Sequence, residues 1–159
     1  MNDGAPDASS RFPWPPAIYG GSALLGLALH WTFALPFAPD ELTTALRYFG
    51  YVVIAVAIVI GLAAEWKFFR AGTATLPTSV TTALVTTGIY GWTRNPMYLA
   101  MTLALAALTL ALNDLWFALL TPGAVLAVTR LAIEPEEDYL DRKFGAPYRE
   151  YCRMVGRWL

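Results

Sequence analysis

The sequence predicts an all-α integral membrane protein with about four transmembrane helices and a cytoplasmic C-terminal helical tail. Two observations on composition and one on charge support this fold class. The 159 residues are 57% hydrophobic and 14% charged, whereas about 25% of the residues in a soluble domain are charged. Several apolar stretches approach the roughly 20 residues that a helix needs to cross the hydrocarbon. Lysine and arginine gather at one set of ends of these stretches, as the positive-inside rule requires.

The apolar stretches follow a polar N-terminal segment, residues 1–16, and form a single domain over residues 17–159. The predicted spans cover about residues 17–37, 46–69, 96–112 and 115–133. Only Asn113 and Asp114 separate the third span from the fourth. This short connection predicts an antiparallel helical hairpin.

Charge predicts that both termini face the cytoplasm. Of the eleven Lys and Arg residues, Arg47 alone lies at the other set of ends, beside Asp40 and Glu41. The remaining cations are Arg11, Lys67, Arg70, Arg94, Arg130, Arg142, Lys143, Arg149, Arg153 and Arg157. The loop between spans two and three, the end of span four and the tail therefore meet on the cytoplasmic face, where a polar site is expected.

The tail, residues 134–159, mixes charged and aromatic residues and is not a fifth span. Pro135 suits the first turn of a helix, where its missing N–H costs nothing. Gly145 suits a helix C-cap, and Pro147 suits the start of another short helix. The side chains expected to face inward are Tyr148, Tyr151 and Val155.

Composition also excludes several classes of site. The net charge of −1 gives no reason to expect a nucleic-acid partner. A single cysteine, Cys152, excludes an intramolecular disulfide, and with a single histidine, His30, it leaves no cluster for a metal. We expect His30 to lie in the middle of span one and to bond a neighbouring helix, with no catalytic role.

The stretch TTGIYGWTRNPMYLAM, residues 86–101, joins a polar loop to span three. Asn95 is a favourable N-cap and Pro96 a favourable first helical residue, and Arg94 can extend to lipid headgroups. A helix N-terminus beside a cation is equally an anion-binding site. The local sequence allows both interpretations.

The acidic pair Glu136 and Glu137 follows Pro135. Acidic residues in a first helical turn are stabilised by the helix dipole, typically by about 0.3–1 kcal/mol. Alternatively, one carboxylate points into the helical bundle and binds a cation or ribose hydroxyls. The local sequence does not separate these alternatives either.

The order of these motifs resembles the isoprenylcysteine carboxyl methyltransferase family of membrane enzymes, which is related to phospholipid methyltransferases. That family has a G-P-Y turn, then R-H-P-x-Y, and after a helical hairpin E-E-x-x-L…F-G-x-x-Y-x-x-Y. Ile89 stands here for the proline and Asn95 for the common histidine. The matching residues, within residues 67–159, are Gly88, Tyr90, Arg94, Pro96, Tyr98, Glu136, Glu137, Leu140, Phe144, Gly145, Tyr148 and Tyr151.

The resemblance implies a methyltransferase that uses S-adenosyl-L-methionine, bound on the cytoplasmic side, with the tail folding over the cofactor pocket. It implies a lipophilic or lipidated acceptor at the membrane, first of all a carboxylate such as that of a prenylated cysteine. Arg94 is expected to orient this carboxylate, and Glu137 is preferred over Glu136 as partner of the cofactor's ammonium. The expected cofactor-binding residues are Gly88, Tyr90, Asn95, Pro96, Tyr98, Glu136, Glu137, Leu140, Phe144, Tyr148 and Tyr151.

Other functions remain open at this stage. A lipid amine or small thiol as acceptor would need a proton acceptor, for which Glu136 and Glu137 are the candidates. A non-catalytic membrane protein that binds lipid is an alternative from a different class. The sequence leaves the oligomeric state open.

Overall fold

The computed structural model describes residues 14–72 and 83–159, and in these ranges the chain is helical and has no strand. Residues 1–13 of the predicted polar segment and residues 73–82 of the loop after span two lie outside the described residues. The helices are α1 (Trp14–Thr32), α2 (Asp40–Arg70), α3 (Pro96–Leu112), α4 (Leu115–Val128), α5 (Glu134–Phe144) and α6 (Ala146–Met154).

Two short segments of non-α helix lie between these helices. A 3₁₀ turn, Gly88–Gly91, precedes α3, and a π-helical stretch, Thr129–Ile133, joins α4 to α5 without a break. The helix α3 begins and ends where the third span was predicted, and its crossing of a membrane stays a prediction. The helix of the first span is shifted toward the N-terminus of the chain, because prolines are tolerated in a first helical turn.

Membrane association is supported by helix length and composition. Within the described residues, two helical stretches are long and apolar enough to cross a membrane, Asp40–Arg70 and Leu115–Phe144, and α3 is a shorter apolar helix. Only 11% of the apolar part of the first stretch is buried in the protein. The core helix of a soluble protein would be mostly buried, so this exposure favours contact with lipid. The arrangement with four spans stays a prediction.

Small residues allow α2 to pack closely on α3. Gly50, Ala57 and Ala64 are the buried residues of α2, and they recur every two helical turns. A Cβ atom at Gly50 would lie 2.6 Å from the backbone nitrogen of Ala111 in α3. A side chain at this position therefore has no room. On the other side of the bundle, α1 packs on α4, and Phe117 of α4 is fully buried.

The predicted hairpin turn between α3 and α4 is confirmed. Asn113 has a left-handed conformation with φ 50°, and Asp114 caps α4 by accepting the Trp116 N–H at 3.0 Å. His30 lies 2.7 Å from a second oxygen of Asp114, through its Nδ1 atom. His30 therefore bonds a neighbouring element, as expected, but it lies near the end of α1, so its predicted position in the middle of the span is wrong.

The long helix continues through two prolines. Pro122 lies inside α4 without ending it. Pro135 follows the π-helical stretch, where the Glu134 N–H reaches back five residues to the Thr129 carbonyl. A wider turn relieves the clash between a proline ring and the preceding turn. Pro135 thus lies in the first turn of α5, as predicted, although α5 extends α4 and does not begin after a loop.

The tail folds back on the loop before α3. Gly145 ends α5 with φ 59°, and its N–H donates to the Asp141 carbonyl, which confirms the predicted C-cap. Pro147 lies in the first turn of α6. Tyr148, Tyr151 and Val155 are buried in one cluster, which confirms that they face inward.

Candidate functional site

A cavity of about 340 Å³ lies where the loop before α3, the end of α2 and the tail meet. Binding pockets for small molecules span about 300–1,000 Å³, so the cavity has the size of a ligand site. The predicted site residues that line it are Tyr90, Arg94, Asn95, Pro96, Tyr98, Glu136, Glu137, Leu140, Tyr148 and Tyr151.

Two of the predicted cofactor-binding residues do not line the cavity. Gly88 has a positive φ of 68°, and a side chain there would collide with Lys67. Its role in the structure is to let the loop approach α2 closely. Phe144 packs against the cluster of Tyr148, Tyr151 and Val155 behind the cavity wall.

The structure adds residues that sequence reasoning missed, and five of them come from α1 and α2. Glu65 and Phe68 of α2 line the cavity. The centroids of the Phe68 and Tyr90 rings lie 5.2 Å apart. Glu65 interrupts an apolar stretch of α2, which is the one signal in the sequence that pointed to it. The other additional residues are Pro15, Pro16, Gly61, Ala83, Leu84, Val85, Met97, Ala100, Met101 and Ile133.

Glu136 joins α5 to the start of α3. The hydroxyl of the buried Tyr98 donates to Oε2 of Glu136 at 2.7 Å. Both glutamates line the cavity, whereas the sequence alone left open whether one carboxylate points into the bundle. The Glu136 carboxyl group is thus held in place by a phenol and faces the cavity. Burial raises the pKa of Glu136 above its ordinary value, although the hydrogen bond from Tyr98 opposes this rise.

Glu137 is paired with two arginines. Arg94 lies 3.0 Å from its Oε1 atom, through Nη1. Arg157 donates from Nε to Oε1 at 3.0 Å and from Nη2 to Oε2 at 2.6 Å. The carboxylate also raises the pKa of Arg157 above its ordinary value, through these hydrogen bonds. The two guanidinium groups and one carboxylate leave one net positive charge beside the cavity.

Arg94 makes further contacts with the tail. Its Nη1 atom donates to the sulfur of Cys152 at 2.8 Å and lies 3.5 Å from the Tyr148 hydroxyl. Its Nε atom is buried and has no hydrogen-bond partner in the part of the chain that the structure describes. A buried donor without a partner is costly, so this N–H is available to a ligand.

Tyr90 carries a second buried polar atom without a partner among the described residues, its hydroxyl. Burial raises the pKa of Tyr90 well above its ordinary value, and the nearby Glu136 and Tyr151 raise it further. Tyr90 is therefore a neutral phenol that can donate a hydrogen bond to a ligand in the cavity.

Asn95 occupies the N-cap position of α3, as predicted, but its side chain makes no capping hydrogen bond. Its Nδ2 atom donates to the Arg157 carbonyl at 2.9 Å instead. The backbone of Asn95 has φ −127° and ψ 53°. Its side-chain amide bonds the tail and not the first turn of α3. Pro96 occupies the first turn of α3, as predicted.

A hydrogen bond joins the loop before α3 to the tail at this end of the cavity. Tyr151 donates from its hydroxyl to the Tyr90 carbonyl at 2.7 Å. Burial raises the pKa of Tyr151 to about 12, so its proton stays in place at neutral pH. The loop and the tail are thereby fixed on one another.

These features define a helical, membrane-associated protein with a cavity at one end of its bundle that is lined by apolar side chains and a few charged ones. Residues 46–147 match the phospholipid methyltransferase family, and the chain belongs to that family. The match begins within α2 and ends within α6, so it contains both the loop before α3 and the glutamate pair. The family assignment makes the protein a member of a group of membrane methyltransferases.

A shorter relative gives no information about function. An uncharacterised protein of Haemophilus influenzae is 40% identical over 65 residues, which cover 40% of this chain and the whole of the relative. No solved structure matches the chain.

Proposed function

We propose that the protein transfers a methyl group from S-adenosyl-L-methionine to a lipophilic acceptor at the membrane. The observation that carries this proposal is one cavity of ligand size that is lined by the carboxyl group of Glu136 and borders on a cationic cluster, Arg94–Glu137–Arg157. S-adenosyl-L-methionine carries an ammonium and a carboxylate at one end, so it needs both charges in its site. Membership of a methyltransferase family supports the same conclusion.

The residues present fit the parts of this cofactor. Glu136 is the partner for the ammonium, in place of Glu137, because Glu137 is already bonded to two arginines. The buried Nε–H of Arg94 and the Tyr90 hydroxyl are donors for the carboxylate or the ribose. Aromatic and aliphatic side chains for the adenine are Leu140, Tyr148 and Tyr151.

The reaction needs little from the protein beyond position and exclusion of water. When bound, the cofactor supplies a methyl group on a positively charged sulfur. The new bond to the acceptor forms as the carbon–sulfur bond breaks, and the two reacting atoms must be aligned about 3–3.5 Å apart. Tyr98, Tyr148 and Tyr151 are buried, and a dry site favours the loss of charge when an anion is methylated.

A carboxylate such as that of a prenylated cysteine is the first candidate acceptor. The order of motifs supports it, since it resembles the isoprenylcysteine carboxyl methyltransferases. Arg94 would orient the carboxylate, and no general base is needed. The Nη1 atom of Arg94 is already bonded to Glu137 and Cys152, so its buried Nε–H is the donor that would serve this role. With this acceptor, the Tyr90 hydroxyl is the donor left for the cofactor.

A lipid amine is the second candidate, favoured by the charges on the cavity wall. Three glutamates line the cavity, and two of them, Glu65 and Glu136, are not paired with the arginines. They would attract an ammonium headgroup, and one of them would accept the proton that an amine must lose. In either case the acyl or prenyl chain would enter from the bilayer between α1 and α2, since Pro15 and Gly61 of these helices line the same cavity.

This proposal includes the location of the site. We propose a multi-pass protein with four spans, with both termini and the cavity on the cytoplasmic side. The distribution of the cations supports this orientation. The packing of α2 on α3, of α3 on α4 and of α1 on α4 supports four spans.

Calorimetry of the full chain in detergent tests the proposal, with S-adenosyl-L-methionine and with its demethylated product. The parent should bind both. Glu136→Ala should weaken binding about ten- to a hundredfold, because a charge-assisted hydrogen bond contributes about 1.5–3 kcal/mol. Asp138→Ala is the matched control, since Asp138 is exposed in the same helical turn.

Methyl transfer to a prenylcysteine analogue and to a phospholipid amine then distinguishes the two acceptors. Transfer to the carboxylate with loss in Arg94→Ala supports the first candidate. Transfer to the amine with loss in Glu65→Gln supports the second. A parent protein that binds neither form of the cofactor would contradict the proposed function and favour a non-catalytic protein that binds lipid.

A further inference from the structure

The segment after α6 holds the charges at the cavity. The guanidinium of Arg157 bonds both carboxylate oxygens of Glu137, at 3.0 and 2.6 Å. Arg94 shares the Oε1 atom of Glu137, at 3.0 Å. Glu137 of α5 therefore connects the loop before α3 to the segment after α6 through a single carboxylate.

The same segment also holds the backbone of that loop. The Arg94 N–H donates to the Gly156 carbonyl at 3.0 Å. The Thr93 hydroxyl and the Asn95 amide donate to the Arg157 carbonyl at 3.2 and 2.9 Å. Three consecutive loop residues thus bond two consecutive residues of the tail, which gives Arg94 fixed partners for both its backbone and its side chain.

Arg157 does not line the cavity. Its side chain is 36% exposed, whereas those of Arg94 and Glu137 are 16% and 19% exposed. Arg157 therefore lies on the solvent side of the cluster and acts on the cavity through Glu137. Without Arg157, the pair of Arg94 and Glu137 would be neutral, and with it the cluster keeps one net positive charge.

We propose that Arg157 is a positioning residue that acts through Glu137 to hold Arg94 at the cavity and to keep the cluster cationic. Its effect on the loop depends only on the contacts described above. Its effect on an anionic ligand rests on the proposed function, because the cofactor's carboxylate is the anion concerned. A bidentate grip on the carboxylate requires the planar fork of arginine, so lysine is a poor substitute.

Hydrogen exchange measured by mass spectrometry tests the effect on the loop, with the full chain in detergent and no ligand present. Arg157→Ala removes only the two side-chain bonds to Glu137, because the bonds from the loop go to backbone carbonyls of the tail. We expect the amides of residues 88–95 to exchange about tenfold faster in this variant, since the side-chain bonds help to hold the tail against the loop and their loss makes local opening easier. Arg157→Lys should recover little of the protection. Arg153→Ala is the control, because Arg153 is an exposed cation of α6. Unchanged exchange in Arg157→Ala would overturn the proposal.

A double-mutant cycle with calorimetry tests the route through Glu137. We expect Arg157→Ala and Glu137→Gln each to weaken binding of S-adenosyl-L-methionine about tenfold. Arg157→Ala should add little in the Glu137→Gln background, because residues in one network are coupled. Losses that simply multiply would overturn the role through Glu137. Should the parent not bind the cofactor, the proposed function fails, and hydrogen exchange still decides the role of Arg157.

Discussion

At the scale of single residues, Asp114 connects three parts of the chain at the end of the bundle away from the cavity. Its carboxylate accepts the Trp116 N–H at 3.0 Å and the Leu35 N–H at 3.3 Å, and it lies 2.7 Å from His30. Burial alone would raise the pKa of Asp114. The bonds from Trp116, His30 and Leu35 outweigh burial, and the pKa is lowered from its ordinary value of 3.8.

This shift predicts a dependence of stability on pH. A carboxyl whose pKa is lower in the folded state stabilises the fold above its ordinary pKa, and this contribution is lost as the pH falls through the lowered pKa. Asp114→Asn should reduce the free energy of unfolding at pH 7 by about 1–3 kcal/mol, because it removes hydrogen bonds to a charged group. The difference from the parent should narrow below pH 3.8.

Thermal unfolding in detergent between neutral and acid pH measures this difference. Asp138→Asn serves as the control, since it removes an exposed carboxylate. A difference that stays constant across the whole range would show that the charge of Asp114 does not contribute.

Residue-scale reasoning from sequence identified most polar members of the site, Glu65 excepted, but not their partners. Glu136 and Glu137 are neighbours in a first helical turn, and the sequence treats them alike. Their roles diverge because Tyr98 reaches Glu136, whereas Arg94 and Arg157 reach Glu137. These partners come from distant parts of the chain, so no local pattern indicates which glutamate is left for a ligand.

At the scale of helices, the packing of α2 on α3 depends on small residues. Gly50, Ala57 and Ala64 form the buried stripe of α2. Helices in membranes associate through close packing of such residues, because lipid offers no hydrophobic driving force between them. The contact between α2 and α3 is therefore more sensitive to side-chain volume than to hydrophobicity.

Gly50→Leu should destabilise the protein by at least about 1–3 kcal/mol, the usual cost of overpacking. Its Cβ atom would come within 2.6 Å of backbone in α3, and backbone cannot move aside as a flexible side chain can. Gly20→Leu in α1 is the matched control, because a Cβ atom at Gly20 meets nothing within 4 Å. Thermal unfolding of both variants checks this, and equal midpoints would contradict the packing argument.

Helix boundaries followed the sequence closely where proline and turn residues are present. Pro96 begins α3, and Gly145 separates α5 from α6. The continuation of α4 into α5 was missed, because the sequence has a proline and a charged run at this point. A π-helical stretch accommodates Pro135, and its formation depends on packing around Ala132 and Ile133, which are buried.

At the scale of the whole molecule, the proposed topology places the cavity at the cytoplasmic side of the membrane. The start of α2, with Asp40 and Glu41, lies at the end of the bundle away from the cavity, and the tail lies beside the cavity. In this topology the two ends of the bundle lie on opposite sides of the membrane. Labelling one position at each end therefore determines the orientation.

We predict that an impermeant maleimide labels Glu41→Cys in intact cells and labels Arg153→Cys only after the membrane is opened. Both positions are exposed on the protein, and the bias of the cations puts the tail inside. The variants are made in a Cys152→Ser background, because Cys152 is the cysteine of the chain. The opposite labelling pattern would reverse the orientation.

The sequence by itself determined the helical class, the apolar stretches, the hairpin turn and the residue types at the cavity. These features follow from composition, hydrophobic length and turn chemistry, which are local properties of the chain. The tertiary structure alone decided that Asn95 bonds the tail instead of capping α3, that Glu65 joins the cavity, and that Arg157 meets Glu137. Each of these contacts joins residues far apart in the chain, and its energy depends on distances that exist only after the helices have packed.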